Sequence, residues 1–247
     1  MALLESLKDC ITYPFRGLGW AIILGGTIAY WVMAFFGGFV PYIGFTFPGA
    51  VQLYISIYLL HIIGDSAKGE SIPPDWPDLG RTRSELLKPL LLGVGAIAWA
   101  FFPLFLANAL LTHPWQTSDP LAVLAIFDTS MEPESSLAFA VRALALGFGL
   151  AMLPMNLVAV AVRDSLGGLS PTVVLPAIVR CRQSYWISVA CLACIYLAGN
   201  GVKNAMREIP ILGFLTATPL FIYFGMVQSR LLGLIYHRNA ARLKWFD

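Results

Sequence analysis

The sequence predicts an all-α integral membrane protein of six transmembrane helices. They form three tandem hairpins, with amphipathic interfacial helices on the cytosolic side. Three observations predict this fold class. Hydrophobic residues make up 58% of the 247 residues and charged residues only 12%, about half the charged fraction of a soluble domain. The apolar residues are gathered into runs that approach the roughly 20 residues needed to cross a bilayer. Lys and Arg are distributed unevenly between alternate loops.

The first element is an amphipathic helix. Leu3, Leu4, Leu7 and Ile11 fall at helical spacing against Glu5, Lys8, Asp9 and Thr12, a pattern that lies in a bilayer interface and ends at Pro14. Glu5 and Asp9 stand where a cleaved signal peptide would carry positive charge, so the segment reads as part of the fold. The spans follow at residues 17–38, 47–63, 88–111, 137–162, 186–199 and 211–236, the fifth short and the sixth long. Pro103, Pro154 and Pro219 sit inside spans three, four and six, where neighbouring helices tolerate a kink.

Orientation follows from the basic residues. With the N-terminus inside, 13 of the 16 Lys and Arg face the cytosol and only Arg142, Lys203 and Arg207 face out, as the positive-inside rule requires. Both termini are then cytosolic, in a bacterial cytoplasmic (inner) membrane. The outer loop 112–136 carries acidic residues alone. Trp20, Tyr42, Trp115, Tyr185, Trp186, Tyr236 and Trp245 bracket the spans as interfacial anchors. The basic tail after His237 is suited to an anionic leaflet.

The chain reads as a single transmembrane domain, 1–247, containing an internal repeat. Asp65-Ser66-Ala67-Lys68-Gly69 follows span two, and Asp164-Ser165-Leu166-Gly167-Gly168 follows span four. Asp65, Ser66 and Gly69 match Asp164, Ser165 and Gly168 in place, and both stretches lead into proline and a basic segment. Three units, 1–69, 70–168 and 169–247, would share one orientation, because each holds an even number of spans. This differs from the inverted halves of many transporters.

The loop between spans two and three is the most distinctive stretch. Pro73, Pro74 and Pro77 favour an extended path, Asp75 and Asp78 suit turns or a helix cap, and residues 82–87 read as a short helix. Trp76 among the prolines either packs on the membrane face or meets a partner. Pro73 to Asp78 is therefore the candidate partner-docking loop. With Tyr13-Pro14-Phe15 and the small-residue exit from Asp65 to Gly69, this Pro-x-Trp-x-Asp character resembles a prokaryotic family of uncharacterised multi-pass membrane proteins, domain of unknown function 4013. The resemblance covers most of the chain and implies its topology. It implies no activity, cofactor or catalytic residue, and the doubled proline and acidic outer loop depart from the family pattern.

Candidate chemistry is sparse. His61, His113 and His237 lie apart with no metal-ligand spacing. No nucleophile elbow or phosphate-binding loop occurs, and a net charge of +2 gives no grounds for a nucleic-acid partner. Cys10 and Cys181 are placed at the cytosolic surface, and Cys191 and Cys194 read as small packing residues in a span. No cofactor and no metal are expected. Arg142 and Arg230 lie within snorkelling distance of interfaces, with Asp65 or Asp164 as partners for Arg230. Ala143, Gly147 and Ala151 form a small-residue ridge for helix packing.

These features favour a non-catalytic scaffold or accessory subunit, with membrane lipids and other membrane proteins as partners. The alternative is a small-solute transporter or channel lined by Ser56, Asn156, Ser188 and Gln228. A lipid-active enzyme using Asp65, Asp75, Asp78 and Asp164 is the weakest reading, because loop acids are usually solvated.

Overall fold

The computed structural model describes residues 2–37, 39, 46–76, 86–111, 136–207, 210–243 and 245. Eight α-helices are present among them: α1 (Ala2–Thr12), α2 (Gly19–Gly37), α3 (Thr46–Lys68), α4 (Lys88–Leu111), α5 (Ser136–Arg163), α6 (Pro171–Arg180), α7 (Arg182–Arg207) and α8 (Pro210–Leu243). Short 3₁₀ turns lie at Tyr13–Phe15 and Leu166–Leu169. Six helices, α2 to α5, α7 and α8, are long and apolar enough to cross a membrane.

The fifth of these corrects the sequence expectation. It extends over 26 residues, about 39 Å at the rise of an α-helix. The polar residues flanking 186–199 continue the helix at both ends instead of terminating it. Pro103, Pro154 and Pro219 are all accommodated within continuous helices.

Helices adjacent in sequence pack together: α2 on α3, α4 on α5 and α7 on α8. The centre is the crossing of α3 with α8. There a methyl group on Gly233 would sit 2.3 Å from Ser66 Cβ and 2.6 Å from the Ile63 carbonyl. Only glycine lets the two backbones come this close, as in small-residue helix contacts generally. The largest buried cluster joins Ile63 and Ala67 of α3, Met155 and Ala159 of α5, Tyr185 of α7, and Leu232 and Tyr236 of α8.

Several residues assigned to the surface belong to this interior. Tyr185 and Tyr236 are buried, with the Tyr185 hydroxyl donating to the Ala151 carbonyl and the Tyr236 hydroxyl accepting from the Trp245 amide at 3.2 Å. Each phenol has a partner inside the protein, so neither needs the interface. Trp20 and Trp186 remain exposed. Cys10 and Cys181 are also buried, Cys10 because α1 lays it between Val227 and Leu231 of α8.

Candidate functional site at the polar end of the bundle

The C-terminal ends of α3, α5 and α8, the start of α4 and the whole of α1 meet at one end of the bundle. Its polar residues form two adjoining groups.

The first group surrounds Arg230. This side chain is almost fully buried. Its Nε donates to Asp9 Oδ2 at 3.1 Å, an NH1 donates to the Glu70 carbonyl, and the guanidinium lies 4.8 Å from the centre of the Tyr13 ring. Asp9 also pairs with Arg16 at 2.6 Å. The expected partners Asp65 and Asp164 are replaced by Asp9, because α1 folds back onto α8 and brings its carboxylate over Arg230. Burial here replaces snorkelling. A buried guanidinium needs a carboxylate and further acceptors to offset its lost hydration. Burial likewise raises the Tyr13 hydroxyl from its usual 10.0 to about 12 and the Cys10 thiol from 9.0 to about 12.

The second feature of this group is the path of residues 70–76. Helix α3 ends in a Schellman motif: the Gly69 amide donates to the Ser66 carbonyl at 3.1 Å and the Glu70 amide to the Asp65 carbonyl at 3.0 Å. Gly69 takes the left-handed conformation this requires, with φ +96°. The chain then turns back alongside the helix it has just left. Ser71 accepts from Arg16, Ile72 from the Tyr13 hydroxyl, and Pro74 from the Tyr58 hydroxyl at 3.1 Å. The Trp76 ring stacks on Tyr54 with centroids 5.4 Å apart, beside the small face of α2 at Gly25 and Gly26. Tyr54 lies about 21 Å of helix from Lys68, so the segment reaches well into the bundle. Within the segment Pro73 and Pro74 are covered, beside Gly19 of α2 and Tyr58 of α3, while Ser71, Ile72 and Asp75 stay exposed.

This placement accounts for most of the loop singled out in the sequence. Pro73 is buried, Pro74 half-buried, and Asp75 exposed. Trp76 keeps 37% of its surface with its ring stacked on Tyr54. Pro77 and Asp78, with the short helix expected at 82–87, lie outside the described residues apart from its last two positions.

The second group is a cavity of about 330 Å³ between α3, α4 and α5. One stripe of α3 supplies Leu60, His61, Gly64, Asp65 and Lys68; Pro89 and Leu92 come from α4, and Val160, Ala161 and Asp164 from the end of α5. Lys68 Nζ bonds Asp65 at 3.1 Å, and Lys88 pairs with Asp164. The two repeat aspartates thus line one cavity. Their local roles differ, since Asp65 lies within α3 whereas Asp164 itself ends α5 with φ 49°, its amide donating to the Val160 carbonyl. Ser66 packs under Gly233, Gly168 sits against the Ala159 carbonyl, and Ser165 precedes the 3₁₀ turn.

Among the described residues, no group of three or more His, Cys, Asp or Glu converges as metal ligands. Of the four acids considered for an enzyme, Asp65 and Asp164 share the cavity, Asp75 lies in the 70–76 segment, and Asp78 is outside the described residues. Sequence reasoning singled out Arg230 but paired it with Asp65 or Asp164, because its partner Asp9 is 221 residues away. The group's only sequence signal is an arginine embedded in an otherwise apolar span. No family model matches the chain, and no curated protein or solved structure is significantly similar to it.

Proposed function

We propose that the chain is a non-catalytic scaffold or accessory subunit of the bacterial inner membrane, with both termini in the cytosol. It packs against other membrane proteins and lipids. The pairing of α2 with α3, α4 with α5 and α7 with α8 supports its organisation as three hairpins over 1–69, 70–168 and 169–247. On this reading α1 lies at the cytosolic interface, and the likeness to domain of unknown function 4013 is one of topology.

The observation that carries the proposal is the small-residue ridge on α5. Ala143 and Gly147 are exposed and Ala151 is partly covered. Among the described residues nothing lies within 4 Å of where a Gly147 side chain would begin. Around Ala143 and Gly147 the described helices leave uncovered the kind of surface that helix–helix contacts in membranes favour, whereas Ala151 already meets Tyr185 of α7. Helix α7, with only 11% of its apolar window buried, presents a second broad face.

A solute path is less well supported. Asn156 donates to the Ala96 carbonyl at 3.5 Å, and the Ser56 hydroxyl donates to the Gln52 carbonyl of its own helix at 2.9 Å, so these two side chains are engaged by backbone. Native mass spectrometry of the tagged protein from its host membrane tests the proposal. A stoichiometric complex with another membrane protein, lost in Gly147→Leu, is expected. A lone chain in both forms, together with solute flux in liposomes, would replace it with the transporter reading.

A further inference from the structure

We propose that the cavity between α3, α4 and α5 binds the headgroup of an aminophospholipid, a phosphodiester carrying a primary ammonium such as phosphoethanolamine. The inference rests on the membrane-spanning reading of the six helices and is independent of any protein partner.

Charges of both signs meet at the cavity. Asp65 and Asp164 of its lining are acceptors for an ammonium; Lys68 of the lining, and Lys88 paired with Asp164 beside it, are donors for a phosphate. The helix ends reinforce this division. The C-termini of α3 and α5 bring partial negative charge to the aspartates. A zwitterion matches both halves. An anionic headgroup would meet two carboxylates, and a divalent cation two ammonium groups. A quaternary ammonium has no N–H to donate to Asp65 or Asp164.

Opening the site is inexpensive. The side chains of both resident ion pairs are about a third to two-thirds exposed, and such pairs contribute only about 0–1 kcal/mol. The ligand can therefore exchange partners with each pair at little cost. At about 330 Å³ the cavity falls at the small end of ligand pockets, a size for a headgroup and not a whole lipid. Leu60, Leu92 and Val160 give it an apolar wall. The ends of three membrane-crossing helices are also where headgroups reside.

The test measures lipid binding by native mass spectrometry on the full chain in detergent. Phosphatidylethanolamine, phosphatidylcholine and phosphatidylglycerol with identical acyl chains are compared. The ethanolamine lipid is expected to bind about tenfold more tightly than either other lipid. Asp65→Asn/Asp164→Asn should remove its margin over the choline lipid, and Lys68→Gln/Lys88→Gln should weaken binding of every phosphate headgroup. If a double variant fails to fold, Asp164→Asn alone serves, because that side chain is 63% exposed; it should still narrow the margin. Equal binding of all three lipids, or a margin surviving the aspartate variants, would overturn the proposal. Glycerophosphoethanolamine distinguishes the source. Failure to displace the lipid supports a lipid ligand, whereas displacement at matched concentration keeps the headgroup chemistry and overturns the lipid assignment.

Discussion

Helices α7 and α8 are neighbours in sequence and packed on one another, yet they play opposite parts. The most apolar window of α8 is 61% buried and that of α7 only 11%. Their mean hydropathies are nearly equal, at 1.3 and 1.5. In a bilayer, lipid is as apolar as a protein core, so hydropathy does not separate the two environments. Small and polar residues do. Helix α8 carries Gly233 at its crossing with α3, buried Arg230 beneath α1, and buried Asn239 donating to the Ile235 carbonyl at 2.8 Å. Helix α7 turns Tyr196, Leu197 and Gly201 outward.

The strongest way to break this comparison is to remove a charge from each helix. Arg230→Ala leaves Asp9 without its buried partner and the Glu70 carbonyl without a donor. Losing one partner of a buried pair costs about 3–5 kcal/mol, and the partial exposure of Asp9 places the expected loss at the lower end. Arg182→Ala, on the exposed start of α7, should change stability by less than about 0.5 kcal/mol. Thermal unfolding in detergent followed by size-exclusion chromatography measures both. Restoration of most of the loss in Asp9→Asn/Arg230→Met would identify the unpaired charge as its cause.

Glycine substitutions give the next largest contrast. Gly233→Leu forces a side chain into Ser66 Cβ and the Ile63 carbonyl and should cost about 1–3 kcal/mol. Gly201→Ala on α7, with nothing within 4 Å among the described residues, should leave stability unchanged or raise it by up to about 1 kcal/mol. Equal losses at the two sites would refute the unequal burial of the two helices.

The same contrast explains what the sequence revealed. The number and positions of the six long apolar helices were legible, because apolar runs of that length are a local property of the sequence. Helix α1 and its end at the Tyr13–Phe15 turn were legible from other local signals, the helical spacing of its leucines and Pro14. The fifth helix was read short, since Arg182 and Lys203 resemble boundaries when judged by hydropathy alone. Tyr185 and Tyr236 were read as interfacial because aromatic position was visible and tertiary cover was not. The joining of Asp65 to Asp164, and of Asp9 to Arg230, depends on which helices pack together, information that a span pattern does not carry. The inward path of residues 70–76 was likewise hidden: prolines specify an extended chain but not its direction.

Trp76→Ala tests that path. Stacking on Tyr54 contributes about 0.5–1.5 kcal/mol beyond burial, so the loss should be modest in global stability. It should be evident locally, as faster limited proteolysis after Glu70. Unchanged cleavage would separate the ring from the segment's placement.

The smallest effect at neutral pH sharpens the account of α1 on α8. Burial raises the Cys10 thiol to about 12 from an ordinary 9.0, with Asp9 adding to the rise and Arg230 opposing it. At pH 8 the folded protein should therefore present far less Cys10 thiolate than an unfolded chain, and alkylation should slow accordingly. The sign for stability follows, because a raised folded pKa favours the fold while the thiol stays protonated. That contribution is complete below pH 9 and is lost between 9 and about 12, and Tyr13 acts the same way between 10 and about 12. Iodoacetamide labelling of a Cys181→Ala/Cys191→Ala/Cys194→Ala protein across pH 7–11 measures it. Arg230→Ala should release α1 and speed labelling at pH 8 toward the unfolded rate. Fast labelling of the unaltered helix pair at pH 8 would mean that α1 is not held on α8 by Cys10 and its neighbours.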